Sequence, residues 1–362
     1  MSGDQPEHGY FPMRTTLGRV FEPEDNYLGV MLSAAEAINA GITTVNNWSH
    51  NIRSPQHAVQ ELHALEESGL RARFSYGPST DRDWYQSIDL EHLQSLYKEW
   101  KQWSAEDLIT LGLAWRGPSP EPASEGVNAG LTEFRMARQL KLPLSIHAGS
   151  RPDQAGEIAS LANKHYLGPD VLVIHATSAT DEDIRALKVS GSPVSLSPFT
   201  EMRIGYGLPP VMRLLKADVI SGLAVDTTAL SGNADMFAIM KVLQNLANGI
   251  ARNEFTLTAH QVIRMATLDG ARALGLDART GSLTPGKRAD LILVSIDAVN
   301  LGVMTRPDHL IVEAAQPVNI DTVIIDGRIL KRDGRLTALN INAITKDAVK
   351  RFDELRQRAD WR

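Results

Sequence analysis

Three short apolar runs each close on one polar side chain: LPLSIHAG at His147, VLVIHAT at His175 and ISGLAVDTT at Asp226. Two imidazoles and a carboxylate are donors that can hold a divalent metal together with a water. A metal-dependent hydrolase needs such a set, provided the fold brings the three side chains to one place. Their order along the chain, each at the C-terminal end of an apolar run, is the most informative feature of the sequence.

The elements that must position them follow from periodicity. Strand-like runs cover residues 41–48, 71–77, 108–115, 142–148, 171–176, 192–199 and 219–226. Amphipathic stretches lie between them at 24–40, 55–68, 90–103, 128–140 and 181–190. This alternation predicts parallel strands joined by helical crossovers, and strands that are apolar nearly throughout are buried on both faces. A (β/α) barrel is favoured over a doubly wound sheet. The polar residues collect at the ends of different strands, and no Gly-rich phosphate turn is present. Two helical stretches follow at 233–251 and 258–274. From Gly281 the sequence turns short-stranded, and GSLTPGKRADLILVSID and NIDTVIIDGRILKRDGRL read as hairpins of a small antiparallel sheet. A helix near 345–360 closes the chain, its Arg and Asp residues expected on a solvated face. The expected division is a barrel over 1–280, a small β-sandwich portion over 281–340 and a C-terminal helix over 341–362.

Composition narrows the chemistry. With 43% hydrophobic and 22% charged residues the chain can bury a large core, and a net charge of −6 without long single-sign runs argues against nucleic acid and anionic membranes as partners. There is no cysteine, so disulfides, thiolate metal sites and a cysteine nucleophile are excluded, which leaves His and carboxylates as the strong ligands. No apolar stretch reaches the roughly 20 residues of a membrane helix, and the N-terminus has no apolar segment of the secretory kind. A cytoplasmic protein acting on a small molecule is expected, with a homo-oligomer as one possible state.

Longer motifs carry a family resemblance. GSLTPGKRADLILV is similar to the C-terminal sandwich signature of the amidohydrolase superfamily, and SIHA, VIHA and LAVDTT resemble its fifth, sixth and eighth barrel strands. SPFTEMRIGYGLPPV (Ser197 to Val211) and LSGNADMFAIMK (Leu230 to Lys241) resemble the loop after the seventh strand and the following helix in its cytosine deaminase and triazine hydrolase branch, a chlorohydrolase-like group. The resemblance runs from about Glu24 onward. It implies a (β/α)8-type metal-dependent hydrolase barrel. One zinc or iron ion would activate water against an electron-poor carbon of a heterocycle or amidine-like compound, displacing an amine or similar group. It also implies His147, His175 and Asp226 as metal ligands, Asp226 as general base, and His175 as a group orienting water or substrate. A helix N-cap is the alternative reading of Asp226.

The chain departs from that family in several places. No two of its histidines are separated by a single residue, so the His-x-His pair that ends the family's first strand has no counterpart. The sequence reads as beginning after that strand and after the N-terminal sandwich strands, with seven barrel strands visible and two ligands missing. A truncated, metal-free homologue without activity, or a small-molecule binding module, is therefore the alternative to an enzyme. HAGS places Ser150 where the branch's deaminases carry a proton-shuttling Glu, and Glu201 stands where several carry Asn. Glu201 is expected to hold substrate, to ligate indirectly or to anchor its loop. His50, in WSHN, is a candidate to touch substrate from the barrel mouth or partly replace a missing ligand, with a surface-loop or structural histidine as the other reading. Trp48, Trp115 and Phe199, with Tyr206, are candidate apolar walls for a planar substrate, with ordinary packing as the other reading.

Overall fold

The computed structural model describes residues 5–119, 128–303 and 306–361. Seven strands, β1 (Thr44–Ile52), β2 (Arg71–Pro78), β3 (Ile109–Ala114), β4 (Leu144–Ala148), β5 (Val171–His175), β6 (Val194–Leu196) and β7 (Ser221–Leu223), lie in one sheet in sequence order. The pairings of β1 with β2, β2 with β3, β3 with β4, β5 with β6 and β6 with β7 are all parallel. Helices fill the crossovers that parallel pairing requires. This is the strand and helix succession of the expected amidohydrolase (β/α) barrel. Every expected strand is present, although β6 and β7 shrink to three residues. For β6 the cause is Pro198, which sits at the first position of helix Pro198–Arg203 and turns the chain out of the sheet.

The chain divides into two compact units, one of residues 1–38, 43–146 and 336–362, the other of residues 39–42 and 147–335. In the first, Phe74, Tyr76, Leu62, Leu65, Leu93 and Leu113 form a core with almost no exposure. Glu61 is buried there as well and accepts hydrogen bonds from Asn26 Nδ2 (2.6 Å), Asn47 Nδ2 (2.8 Å) and Ser49 Oγ (2.8 Å), which tie two helices to β1. Burial raises its pKa, and those three donors oppose the rise. The C-terminal helix Ile341–Arg358 corrects one expectation, because its arginines are not simply solvated. Arg351 donates to Asp25 Oδ1 at 2.6 Å, and both Arg351 and Arg358 reach Glu22 and Asp25 at the start of helix Pro23–Asn39. Asp25 is buried, so its two charge-assisted bonds are partly shielded from water, whereas those to Glu22 are exposed.

In the second unit, Val171, Val173, Val194, Leu196, Leu187, Leu214 and Leu243 pack between strands and helices. Its small sheet joins β8 (Leu291–Val294), β9 (Ile320–Ile325), β10 (Arg328–Arg332) and β11 (Arg335–Leu336) in the order β11, β10, β9, β8. Asp326-Gly327 and Asp333-Gly334 each form a two-residue turn with positive φ at both positions, as the sequence predicts for hairpins. The Pro285-Gly286 pair does not join two strands; it forms a turn ahead of β8.

One buried carboxylate organises the loops of this unit. Asp183, with no exposed surface, accepts from the backbone N–H groups of Ala159 (2.8 Å), Gly156 (2.9 Å) and Thr180 (2.8 Å) and from the Thr180 hydroxyl (2.8 Å). Thr180 Oγ1 in turn accepts the Asp183 N–H, closing a capping box at the start of helix Asp181–Ser190. Burial alone would raise the Asp183 pKa, but this set of donors outweighs it and holds the group below the ordinary carboxylate range. Asp183→Ala leaves several buried donors unpaired and should lower unfolding free energy by about 2–4 kcal/mol. Urea unfolding checks this; a loss under about 0.5 kcal/mol contradicts it.

Candidate active site

All three strand-end donors belong to the second unit. His147 lies within β4, one residue from its end, and is exposed. His175 is the last residue of β5 and only 2% exposed. Asp226 lies three residues beyond β7, with 28% of its side chain exposed. The imidazole rings of His147 and His175 are 5.2 Å apart, centroid to centroid, and tilted by 44°. His175 Nε2 stands 4.0 Å from Asp226 Oδ2. That is too long for a direct hydrogen bond and is a gap that a small bridging group can span.

The backbone at these positions is unusual. His175 has φ of 76° and Asp226 of 62°, in the left-handed region that side chains other than glycine rarely occupy. The N-cap alternative for Asp226 is corrected: Thr227 is the cap of helix Thr228–Ser231, its Oγ1 accepting the Ala229 N–H at 3.2 Å. Past His147 the turn is made by Gly149, with φ of 61°. A Cβ there would meet Ile158 Cδ1 at 3.0 Å. Its N–H is held by Glu157 Oε2 at 2.9 Å, and its carbonyl accepts from Ser178 N at 2.7 Å.

Glu201 stands behind His175. Its Oε1 is 3.2 Å from His175 Nδ1 and accepts the Ser197 N–H at 2.8 Å. The carboxylate has no exposed surface, and burial drives its pKa above the ordinary range, against the lowering effect of His175 and the Ser197 N–H. Tyr206 sets its ring edge-on to His175 at 5.4 Å, and Phe199 is half-buried in the first turn of the Glu201 helix. Ser150 is buried, its N–H bonded to Gln154 Oε1 at 3.2 Å.

The remaining expected site residues lie in the first unit. Trp115 is fully buried, donates its indole N–H to the Gly130 carbonyl at 2.8 Å and packs against Phe134 at 5.0 Å, so it is a core residue and not a wall open to substrate. Trp48 is half-buried on β1. His50 does not follow the strand but lies inside it, its Nδ1 bonded to the Trp48 carbonyl at 3.2 Å. The sequence signalled neither the left-handed turns nor the service of Glu157 and Asp183 to the loops, since those partners are distant along the chain.

A match to the amidohydrolase family model spans residues 7–330. The chain belongs to the amidohydrolase family. Among its relatives, the 5'-deoxyadenosine deaminase of Methanothermobacter thermautotrophicus is 33% identical over 325 residues, which cover 86% of this chain and 73% of that protein. The 5-methylthioadenosine/S-adenosylhomocysteine deaminase of Moorella thermoacetica is 31% identical over 336 residues, covering 91% and 77%. Among solved structures, an adenosine deaminase from Xanthomonas campestris with bound zinc superposes with a TM-score of 0.82 at 24% identity, covering 94% of this chain and 78% of that one. An atrazine chlorohydrolase from Arthrobacter aurescens, complexed with zinc, gives 0.76 at 18% identity, covering 91% and 77%. Family membership makes this amidohydrolase a hydrolytic enzyme, of a family that is typically dependent on a divalent metal. No helix of the described residues is long and apolar enough to cross a membrane.

The donors of this amidohydrolase fit such an ion in kind. Two imidazoles and a carboxylate are ligands of hydrolytic zinc, and a carboxylate behind one imidazole is the usual outer partner of a metal-bound histidine. Among the described residues, no group of three or more His, Cys, Asp or Glu side chains gathers closely enough to enclose an ion. The pair His175 and Asp226 is the part of the set that stands in register.

His50 offers a separate test. Burial first, then the neighbouring Arg14 charge, pull its pKa down to about 4. The folded state then binds fewer protons than the unfolded chain between about pH 6.5 and 4, so the His50 contribution to stability is present above that window and lost as pH falls through it. The loss reaches up to about 3 kcal/mol. Urea unfolding of wild type and His50→Gln across pH 4–8 should show a steeper acid loss in wild type; parallel curves contradict the assignment.

Proposed function

We propose that this chain hydrolyses an exocyclic carbon–nitrogen bond on a nitrogen heterocycle of the adenine nucleoside class, using one divalent ion toward which His147, His175 and Asp226 are the donors of this site. The observation that carries the reading is the His175 and Asp226 pair, 4.0 Å apart and backed by a buried carboxylate. An Nε2 lone pair and a carboxylate facing each other across such a gap are both electron-rich, and a cation between them relieves the conflict. Zinc is the proposed ion, with iron as the other candidate for the same nitrogen and oxygen donors. The two deaminases named among the relatives support the adenine nucleoside class.

When bound, the ion supplies a water acidic enough to be deprotonated near neutral pH. Asp226, on the exposed side of the pair, is the proposed base. It takes a proton from the attacking water and returns it to the departing nitrogen, so that the C–N bond breaks as the C–O bond forms and ammonia leaves. Its partly exposed carboxylate can meet both water and substrate. His175 stays fixed between Glu201 and Asp226, and Tyr206 packs against its ring in a T-shaped contact. Phe199, half-buried, leaves part of its ring for packing on a planar substrate. Ser150, which has no acidic proton at neutral pH, leaves Asp226 as the proton carrier of this set. The reading takes a cytosolic enzyme acting on a small molecule, alone or as a homo-oligomer.

Metal analysis of the purified chain should find about one ion per chain, lost in His147→Ala and in His175→Ala. Ammonia release from 5'-deoxyadenosine or a related adenine nucleoside should fall at least 100-fold in Asp226→Asn. A folded chain that binds no zinc or iron, or Asp226→Asn with wild-type activity, overturns the reading.

A further inference from the structure

We propose that Glu201 is the positioning residue of this site: its carboxylate accepts a hydrogen bond from the Nδ1–H of His175 and thereby turns Nε2 toward Asp226. The inference rests on the proposed function only in treating His175 Nε2 as the working nitrogen. A carboxylate is an acceptor, so a His nitrogen 3.2 Å from it carries the proton, and the other ring nitrogen is left with its lone pair. His175 is 2% exposed and Glu201 fully buried, so water does not compete for the contact.

The carboxylate is itself held in place. Its Oε1 accepts the Ser197 N–H, and its backbone carbonyl accepts from Tyr206 N at 2.9 Å and Gly207 N at 3.3 Å. Two residues on, Arg203 donates to the Leu230 carbonyl at 3.0 Å, in the helix that begins just after Asp226. One short helix, Pro198–Arg203, therefore grips the His175 ring with one side chain and the segment carrying Asp226 with another. A residue that acts on one donor and a residue that acts beside the other share the same six-residue element, which fixes their relative placement.

The test compares Glu201→Gln and Glu201→Ala with wild type on the purified full chain. Nitrogen-edited proton NMR reads the His175 Nδ1–H, assigned by its absence in His175→Gln, and a chromophoric chelator reads zinc affinity by competition. Wild type should show a slowly exchanging, downfield Nδ1–H. Glu201→Gln, whose amide oxygen can still accept, should keep that proton and lose less than tenfold in zinc affinity. Glu201→Ala should lose the proton and 10–100-fold in affinity. A wild-type His175 protonated on Nε2, or Glu201→Ala with the proton signal unchanged, overturns the proposal; so does Glu201→Ala with zinc affinity within twofold of wild type where His175→Ala has lost zinc. Should Glu201→Ala fail to fold by circular dichroism, a loss of the proton in Glu201→Gln equal to that in His175→Gln overturns it instead. If His175→Ala binds zinc as wild type does while the proton behaves as expected, the metal reading fails and the positioning role stands.

Discussion

Left-handed backbone at the strand ends is the constraint from which the site follows. His175 and Asp226 hold positive φ, as does Gly149 two residues past His147. Such a turn swings the chain out of the sheet within one residue, and it costs a residue with a Cβ about 1–2 kcal/mol. Glycine makes the turn cheaply at one of the three places. At the other two the donor itself occupies the strained position, so the chemistry-bearing side chain and the turn cannot be separated. The side chain is aimed by the backbone that carries it.

The surroundings explain how that strain persists. Ala176 N bonds to the Ala148 carbonyl and Ser178 N to the Gly149 carbonyl, which join the exits of β4 and β5 to each other. Glu157 fixes the Gly149 N–H, and Asp183 ties the helix carrying Glu157 to the start of the helix after β5. Every one of these bonds satisfies a backbone N–H in the segments that follow β4 and β5. Strain in a loop exit survives when neighbouring groups over-determine it, and here the half-buried Glu157 does so through the Gly149 N–H and the fully buried Asp183 through three backbone N–H groups.

Much of this was legible in the sequence, for a physical reason. Strands such as VLVIH are buried on both faces and so read as unbroken apolar runs, and Asp-Gly pairs declare two-residue hairpins through their tolerance of positive φ. The order His147, His175, Asp226 could be read because strand ends are marked by the first polar residue after such a run. What escaped was set by distant partners. Trp115 resembles a mouth residue by position, yet its indole N–H finds the Gly130 carbonyl and its ring finds Phe134, contacts invisible in local pattern. Arg351 and Arg358 resemble a solvated face until Asp25, more than 300 residues earlier, is placed beside them. His50 was expected past a strand that in fact continues to Ile52.

The two carboxylates flanking His175 show how the site divides its work. Glu201 faces Nδ1 from full burial, and Asp226 faces Nε2 with more than a quarter of its side chain in solvent. A buried carboxylate that already accepts a backbone N–H has little freedom to move and no route to exchange protons quickly with water, so it suits the task of orientation. A carboxylate on the solvent side can turn, meet substrate and change partners within a catalytic cycle, so it suits proton transfer. With serine at position 150 that position supplies no acid, and the Glu157 carboxylate beside it is engaged by the Gly149 N–H. The exposure difference between two like groups on one ring therefore supports the proposed division, with orientation given to Glu201 and proton movement to Asp226, the one residue of the pair whose backbone holds positive φ.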